Sequence, residues 1–146
     1  AKEHNKGIFI LVKTSNPASG EFQDLICGEK KLYEIIAEKT HAWGKDFVGK
    51  KGYSAIGAVV GATFPHEISA LRKIMPMAYF LVPGYGAQGA AAKDIEYCFN
   101  SDGLGAIINA SRSPWKEKYG ICAWKEATQK AVITMNEEIR KISKSY

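Results

Sequence analysis

Four short apolar runs divide the chain: Gly7–Val12 (GIFILV), Ala55–Val60 (AIGAVV), Ala78–Val82 (AYFLV) and Gly105–Asn109 (GAIIN). None carries a charge, and each is rich in β-branched or aromatic residues. That is how strands covered on both faces of a parallel sheet read. Small or turn-forming residues follow each run, in SNPASG, GATFP, PGYGAQG and NASRSP. Beyond every turn lies a stretch able to form a helix. Leu32, Ile35 and Ile36 share a helical face, with Ala42 and Trp43 near its end. Pro65 suits a first helical turn, and Ile68, Leu71 and Met75 recur at helical spacing after it. Ile95, Cys98 and Phe99 mark a third segment. The last runs from about Trp124 to Ser143, with Ala127, Ala131, Ile139 and Ile142 on one stripe and basic residues at its end, where they suit the helix dipole. The pattern predicts βα four times over: an α/β chain with parallel strands in one domain, residues 1–146.

Two architectures meet this description, an open doubly wound sheet and part of a (β/α)8 barrel. A complete barrel takes about 200 residues or more, so length favours the open sheet. Composition narrows the class further. Of 146 residues, 46% are apolar and 24% charged, which excludes a disordered polymer. The net charge of +5 comes from 20 basic and 15 acidic residues dispersed along the chain. It reads as a solvated lysine-rich surface rather than a nucleic-acid tract. Cys27, Cys98 and Cys122 show no metal-ligand spacing and cannot pair completely, which points to a reduced, cytoplasmic setting. No run approaches the roughly 18 apolar residues of a membrane span. The first six residues do not form a signal peptide, and a start at Ala1 rather than methionine points to processing or a segment boundary.

Candidate chemistry concentrates in Phe80–Gly89, FLVPGYGAQG. Gly84-x-Gly86-x-x-Gly89 after a strand matches a dinucleotide fingerprint, whose glycines let backbone amides approach a pyrophosphate. Such a site needs an acidic residue about 20 positions on to hold a ribose. The next strand ends instead in Asn109-Ala110-Ser111-Arg112, without a carboxylate. A phosphate clamp fits better: amides and the Gln88 side chain on one loop, the Arg112 guanidinium on the next. In barrels the last two βα loops commonly hold a phosphate.

Other residues are weighed between chemistry and structure. Ser15, in Val12-Lys13-Thr14-Ser15-Asn16-Pro17, stands at a strand's C-terminal end and is either a ligand-facing hydroxyl or a turn residue. Lys13 is a catalytic amine or, more economically, a paired structural lysine. His4, His41 and His66 share no ligand spacing and read as surface residues. Tyr33, Trp43, Phe47 and Tyr53 around Gly44–Gly52 read as a packed connection rather than a single-strand-binding platform.

Taken in order, VKTSNP, GAVVGATFPHE, FLVPGYGAQG and INASRS closely resemble the later half of orotidine 5′-phosphate decarboxylase, in the branch with a long helix-rich connection after the fifth strand. The resemblance covers essentially the whole chain and outweighs the preference that length alone gives to the open sheet. It implies the C-terminal half of a TIM (β/α)8 barrel, the four runs being strands five to eight. It also implies roles. Ser15 would bond the amide edge of the pyrimidine. Pro83, Gly84, Tyr85, Gly86 and Gln88 would belong to a loop closing over orotidine 5′-phosphate or UMP. Arg112, with backbone amides around Ser111, would grip the 5′-phosphate.

The same resemblance implies a homodimer, no metal and no organic cofactor. The family's reaction depends on a D-x-K-x-x-D cluster and a further lysine on earlier strands. Here none of Asp24, Asp46, Asp94 and Asp102 has a lysine two residues later. The expectation is therefore a substrate-binding half whose catalytic partner is the missing N-terminal half of the barrel. A non-catalytic phosphate- or nucleotide-binding module, or a related sugar-phosphate decarboxylase, are the competing readings.

Overall fold

The computed structural model describes residues 1, 3–86, 90–110 and 124–143. Along the chain come β1 (Ile8–Lys13), α1 (Gly20–Gln23), the short strands β2 (Ile26–Cys27) and β3 (Lys30–Lys31), and α2 (Leu32–Gly44). They are followed by β4 (Ser54–Val60), α3 (Pro65–Ile74), β5 (Ala78–Pro83), a 3-10 helix at Ala92–Cys98, β6 (Ala106–Asn109) and α4 (Trp124–Ser143). The four long strands form one parallel sheet in the order β1-β4-β5-β6, and β2 and β3 form a separate antiparallel hairpin.

That strand order decides between the two architectures. A doubly wound sheet reverses direction part-way, which places helices on both faces. Here each new strand is added on the same side of the last. Because βα crossovers are right-handed, all the connecting segments then lie on one face. The register shows the consequence. Ile10, Ala58, Phe80 and Ala106 form one row across the sheet and pack with the helices. The adjacent row, Leu11, Val59, Leu81 and Ile107, is just as apolar but faces away from them. Leu11 is 58% exposed and Ile107 47%. Among the described residues, then, the helices cover one face of the sheet, whereas the composition of the strands suggests cover on both. That second face is apolar, exposed at Leu11 and Ile107 on the edge strands and partly buried at Val59 and Leu81, as in a barrel wall without the rest of its barrel.

Three details depart from the sequence reading, each for a local reason. In α2 the fully buried stripe is Tyr33, Ala37, Thr40 and Gly44; of the predicted Leu32–Ile35–Ile36 face, Ile36 packs against the core while partly buried, and Trp43 is exposed. Small residues let this helix settle closely on β4. A methyl group on Gly44 would meet Ser54 Oγ at 2.8 Å, and that hydroxyl donates to the Gly44 carbonyl. The third helical segment is a seven-residue 3-10 helix. Its start is capped by Asp94, whose carboxylate accepts the Ala91 N–H, and its end is closed by the Phe99 N–H to Glu96. The β2–β3 hairpin has no counterpart in the pattern of apolar runs, although Gly28 at φ +69° supplies the turn residue such hairpins favour. By contrast Ile68 and Leu71 of α3 and Met75 at its end are buried as expected, and α4 lays Met135, Ile139 and Ile142 against the core with Arg140 and Lys141 in its last turn.

The N-terminal ends of the strands are locked by Arg72, which helical periodicity passes over. It is 9% exposed, and its guanidinium donates to the carbonyls of Met75, Ala78, Cys98 and Gly105 while lying 3.6 Å from the centre of the Phe80 ring. Beside it, Tyr53 stacks on Tyr79 at 4.5 Å and donates to Asp102. The aromatics near Gly44–Gly52 thus include a packing element, Tyr53, at the end of the sheet opposite the candidate site.

Candidate functional site

Because all four strands are parallel, the turns that follow them emerge along one edge of the sheet. Lys13 is paired with Val60, and Pro83 with Asn109. The Ser15 turn, the Gly61–Phe64 turn, the glycine-rich turn and the Asn109–Ala110 end therefore share a single rim. The Ala62 N–H donates to the Pro83 carbonyl at 2.9 Å and the Gly61 N–H to the Lys13 carbonyl at 2.7 Å, which ties neighbouring turns together. In parallel α/β sheets this C-terminal rim is where ligands bind.

Ser15 is half-buried and held from several sides. Its carbonyl accepts the Thr63 hydroxyl at 3.2 Å. Gly61 stands directly behind it, where a Cβ would lie 2.6 Å from Ser15 N, so only glycine permits this approach. Next to it, the Thr14 N–H donates to Gln23 Oε1, and Gln23 Nε2 donates back to Thr14 Oγ1, both at 3.0 Å.

Lys13 is the paired structural lysine of the two readings. A bulge between Leu11 and Lys13 breaks strict alternation and buries both Val12 and Lys13, at 0% and 1% exposure. The ammonium donates to Asp24 Oδ1 at 2.8 Å and lies 5.0 and 4.7 Å from the ring centres of Tyr33 and Phe64. The Lys13 hydrogen bond holds the Asp24 carboxyl below its ordinary range.

On the glycine-rich turn, Gly84 and Gly86 adopt φ values of +100° and +71°, the left-handed region that favours glycine. The Gly86 N–H donates to the Ala90 carbonyl at 2.9 Å, closing the base of the loop. Tyr85 differs from its neighbours. Its ring is buried in the helix-side core and its hydroxyl donates to Glu138 of α4 at 2.7 Å. Burial, helped by that carboxylate, pushes the phenol up to about 12. Tyr85 thus anchors the turn to α4 through its side chain.

A family model described as orotidine 5′-phosphate decarboxylase / HUMPS family matches residues 1–118. The chain belongs to this family. Among curated relatives, orotidine 5′-phosphate decarboxylase of Caldicellulosiruptor bescii is 52% identical over 107 residues, covering 73% of this chain and 35% of the relative. That of Rhodopirellula baltica is 42% identical over 142 residues, covering 92% and 47%. A Toxoplasma gondii structure, solved as a candidate orotidine-monophosphate decarboxylase, superposes with a TM-score of 0.80 at 30% identity, covering 99% of this chain and 54% of that one. The chain thus spans about half or less of the proteins it matches, and its four-stranded parallel sheet corresponds to part of the orotidine 5′-phosphate decarboxylase barrel.

Of the predicted site residues, Ser15, Pro83, Gly84, Tyr85 and Gly86 are brought to the one rim. Gln88, Ser111 and Arg112 lie outside the described residues. Sequence reasoning missed Gly61, Thr63, Gln23 and Asp24, which shape the Ser15 turn. The signal that could have found the first two is GATFP itself, a glycine and a hydroxyl immediately after a buried strand. Among the described residues no group of acidic, histidine or cysteine side chains is placed to hold a metal, and no helix is long and apolar enough to cross a membrane.

Proposed function

We propose that this chain is the phosphate- and pyrimidine-binding half of an orotidine 5′-phosphate decarboxylase, acting in pyrimidine biosynthesis in the cytoplasm. The observation that carries the reading is the register of β5 and β6: Pro83 lies opposite Asn109, so the glycine-rich turn and the segment leading to Ser111 and Arg112 leave the sheet side by side. On this reading Arg112 and the surrounding amides grip the 5′-phosphate. Gln88 spans from phosphate to ring, and Ser15 bonds the pyrimidine's amide edge. The carboxylate at the reacting ring carbon departs as CO2, its bonding electrons stay on that carbon, and a proton from the other half of the barrel completes UMP. Phosphate binding remote from the reacting carbon lowers the barrier there, and the closing loop excludes water.

The open apolar face is where the remaining four βα units complete the barrel, in a protein that works as a homodimer. Among the described residues β1 and β6 each pair with one neighbouring strand only, and the sheet keeps an apolar face turned away from the helices, features that drive association. Light scattering of the isolated chain is expected to show self-association. A compact, well-folded monomer would count against the half-barrel.

Phosphate dependence tests the assignment of the rim. In the full-length protein carrying this chain, UMP is expected to bind at least about a hundredfold more tightly than uridine, the scale of charge-assisted hydrogen bonds to a phosphate. Equal affinities would overturn the reading.

A further inference from the structure

Three consecutive residues at the end of β1 are each braced from a different direction. Lys13 is paired with Asp24, Thr14 exchanges two hydrogen bonds with Gln23, and the Ser15 carbonyl accepts the Thr63 hydroxyl. The first two braces come from the far end of the same βα loop, closing it on itself. The third comes from the next βα turn, which Gly61 brings close enough to touch. The Lys13 ammonium lies beneath both, between Tyr33 and Phe64, where replacing it or its counter-ion would leave an unpaired buried charge or a void. Ser15's own hydroxyl, meanwhile, makes no hydrogen bond among the described residues. A polar group kept free on so constrained a backbone is arranged for an outside partner rather than for the fold.

We propose that Thr63 and Asp24 are positioning residues that fix the direction of the Ser15 hydroxyl, and so set recognition of the pyrimidine edge without touching the ligand. This rests on the function proposed above and adds to it the device by which one strand end is aimed by its neighbour. The bracing acts on the base end of the nucleotide only, because the phosphate turns follow β5 and β6, on the other side of β4 from β1.

The test compares two ligands in the full-length protein carrying this chain: UMP, and ribose 5-phosphate, which keeps the phosphate but lacks the base. In calorimetric titrations Thr63→Val is expected to raise the Kd for UMP about tenfold, corresponding to about 1.4 kcal/mol, while shifting ribose 5-phosphate less than twofold. Thr63→Ser, which keeps the hydroxyl, should return the UMP Kd to within about twofold of wild type. Asp24→Asn should weaken UMP alone by about threefold or more. Unchanged UMP affinity in Thr63→Val, parallel loss of both ligands, or failure of Thr63→Ser to rescue would overturn the proposal. Wild-type protein that binds neither ligand would instead overturn the function on which it rests.

Discussion

Replacing Arg72 with alanine is expected to destabilise the fold by about 3 kcal/mol or more, the range for removing one partner from a buried charged network. Four carbonyls, from the end of α3, β5, the 3-10 helix and the approach to β6, converge on one guanidinium. Truncation leaves them without their donor in a region closed to water, and also removes the cation from the Phe80 ring. Burial lowers the Arg72 pKa to about 10, still well above neutrality, so the charge persists where these bonds need it. Arg72→Lys should recover only part of the loss, since an ammonium cannot reproduce a planar fork that reaches four oxygens. Urea unfolding of the full-length protein measures the difference. A loss below about 1 kcal/mol would mean that the strand ends are held by something else.

On the proposed function, replacing Arg112 with alanine in the full-length protein should lower kcat/KM for orotidine 5′-phosphate by about a hundredfold or more, several kcal/mol at the transition state. The phosphate is remote from the carbon that loses CO2, so its removal from the arginine's grip acts through binding energy used along the whole reaction coordinate. Arg112→Lys should retain a fraction of the effect, as a single charge without the bidentate fork. The measurement is steady-state decarboxylation. A change smaller than about threefold would remove Arg112 from the phosphate site.

Much of the fold is legible in the chain because the relevant signals are local. An uncharged β-branched run announces a buried strand, and all four long strands fall close to their apolar runs. Proline at the start of α3 and basic residues at the end of α4 likewise follow from the local chemistry of helix ends. The glycines at positions 84 and 86 are recognisable because left-handed turns leave few alternatives.

What escapes a sequence reading depends on tertiary contact. Nothing in the spacing of Arg72 distinguishes it from an exposed helical arginine, because its partners come from residues 75, 78, 98 and 105. Tyr85 reads only as part of a loop that closes over a ligand, and nothing local announces that its hydroxyl donates to a carboxylate on α4, far along the sequence. The covering of the sheet reads differently at two levels: the apolar runs alone suggest cover on both faces, while half a barrel implies an exposed inner face. Composition reports that a strand's two faces are apolar, but not whether the material covering both belongs to the same segment of chain. The family resemblance supplies that missing half, and the one-directional strand order agrees with it.

If this chain supplies one half of a composite decarboxylase site, activity should depend on reuniting it with the other half. The most direct measurement is conversion of orotidine 5′-phosphate to UMP and CO2 by the chain alone and by the same chain joined to the four preceding βα units in one polypeptide. No turnover is expected from the chain alone and robust turnover from the joined protein. Turnover by the chain alone, or a folded joined protein that binds UMP but never decarboxylates, would contradict the half-site.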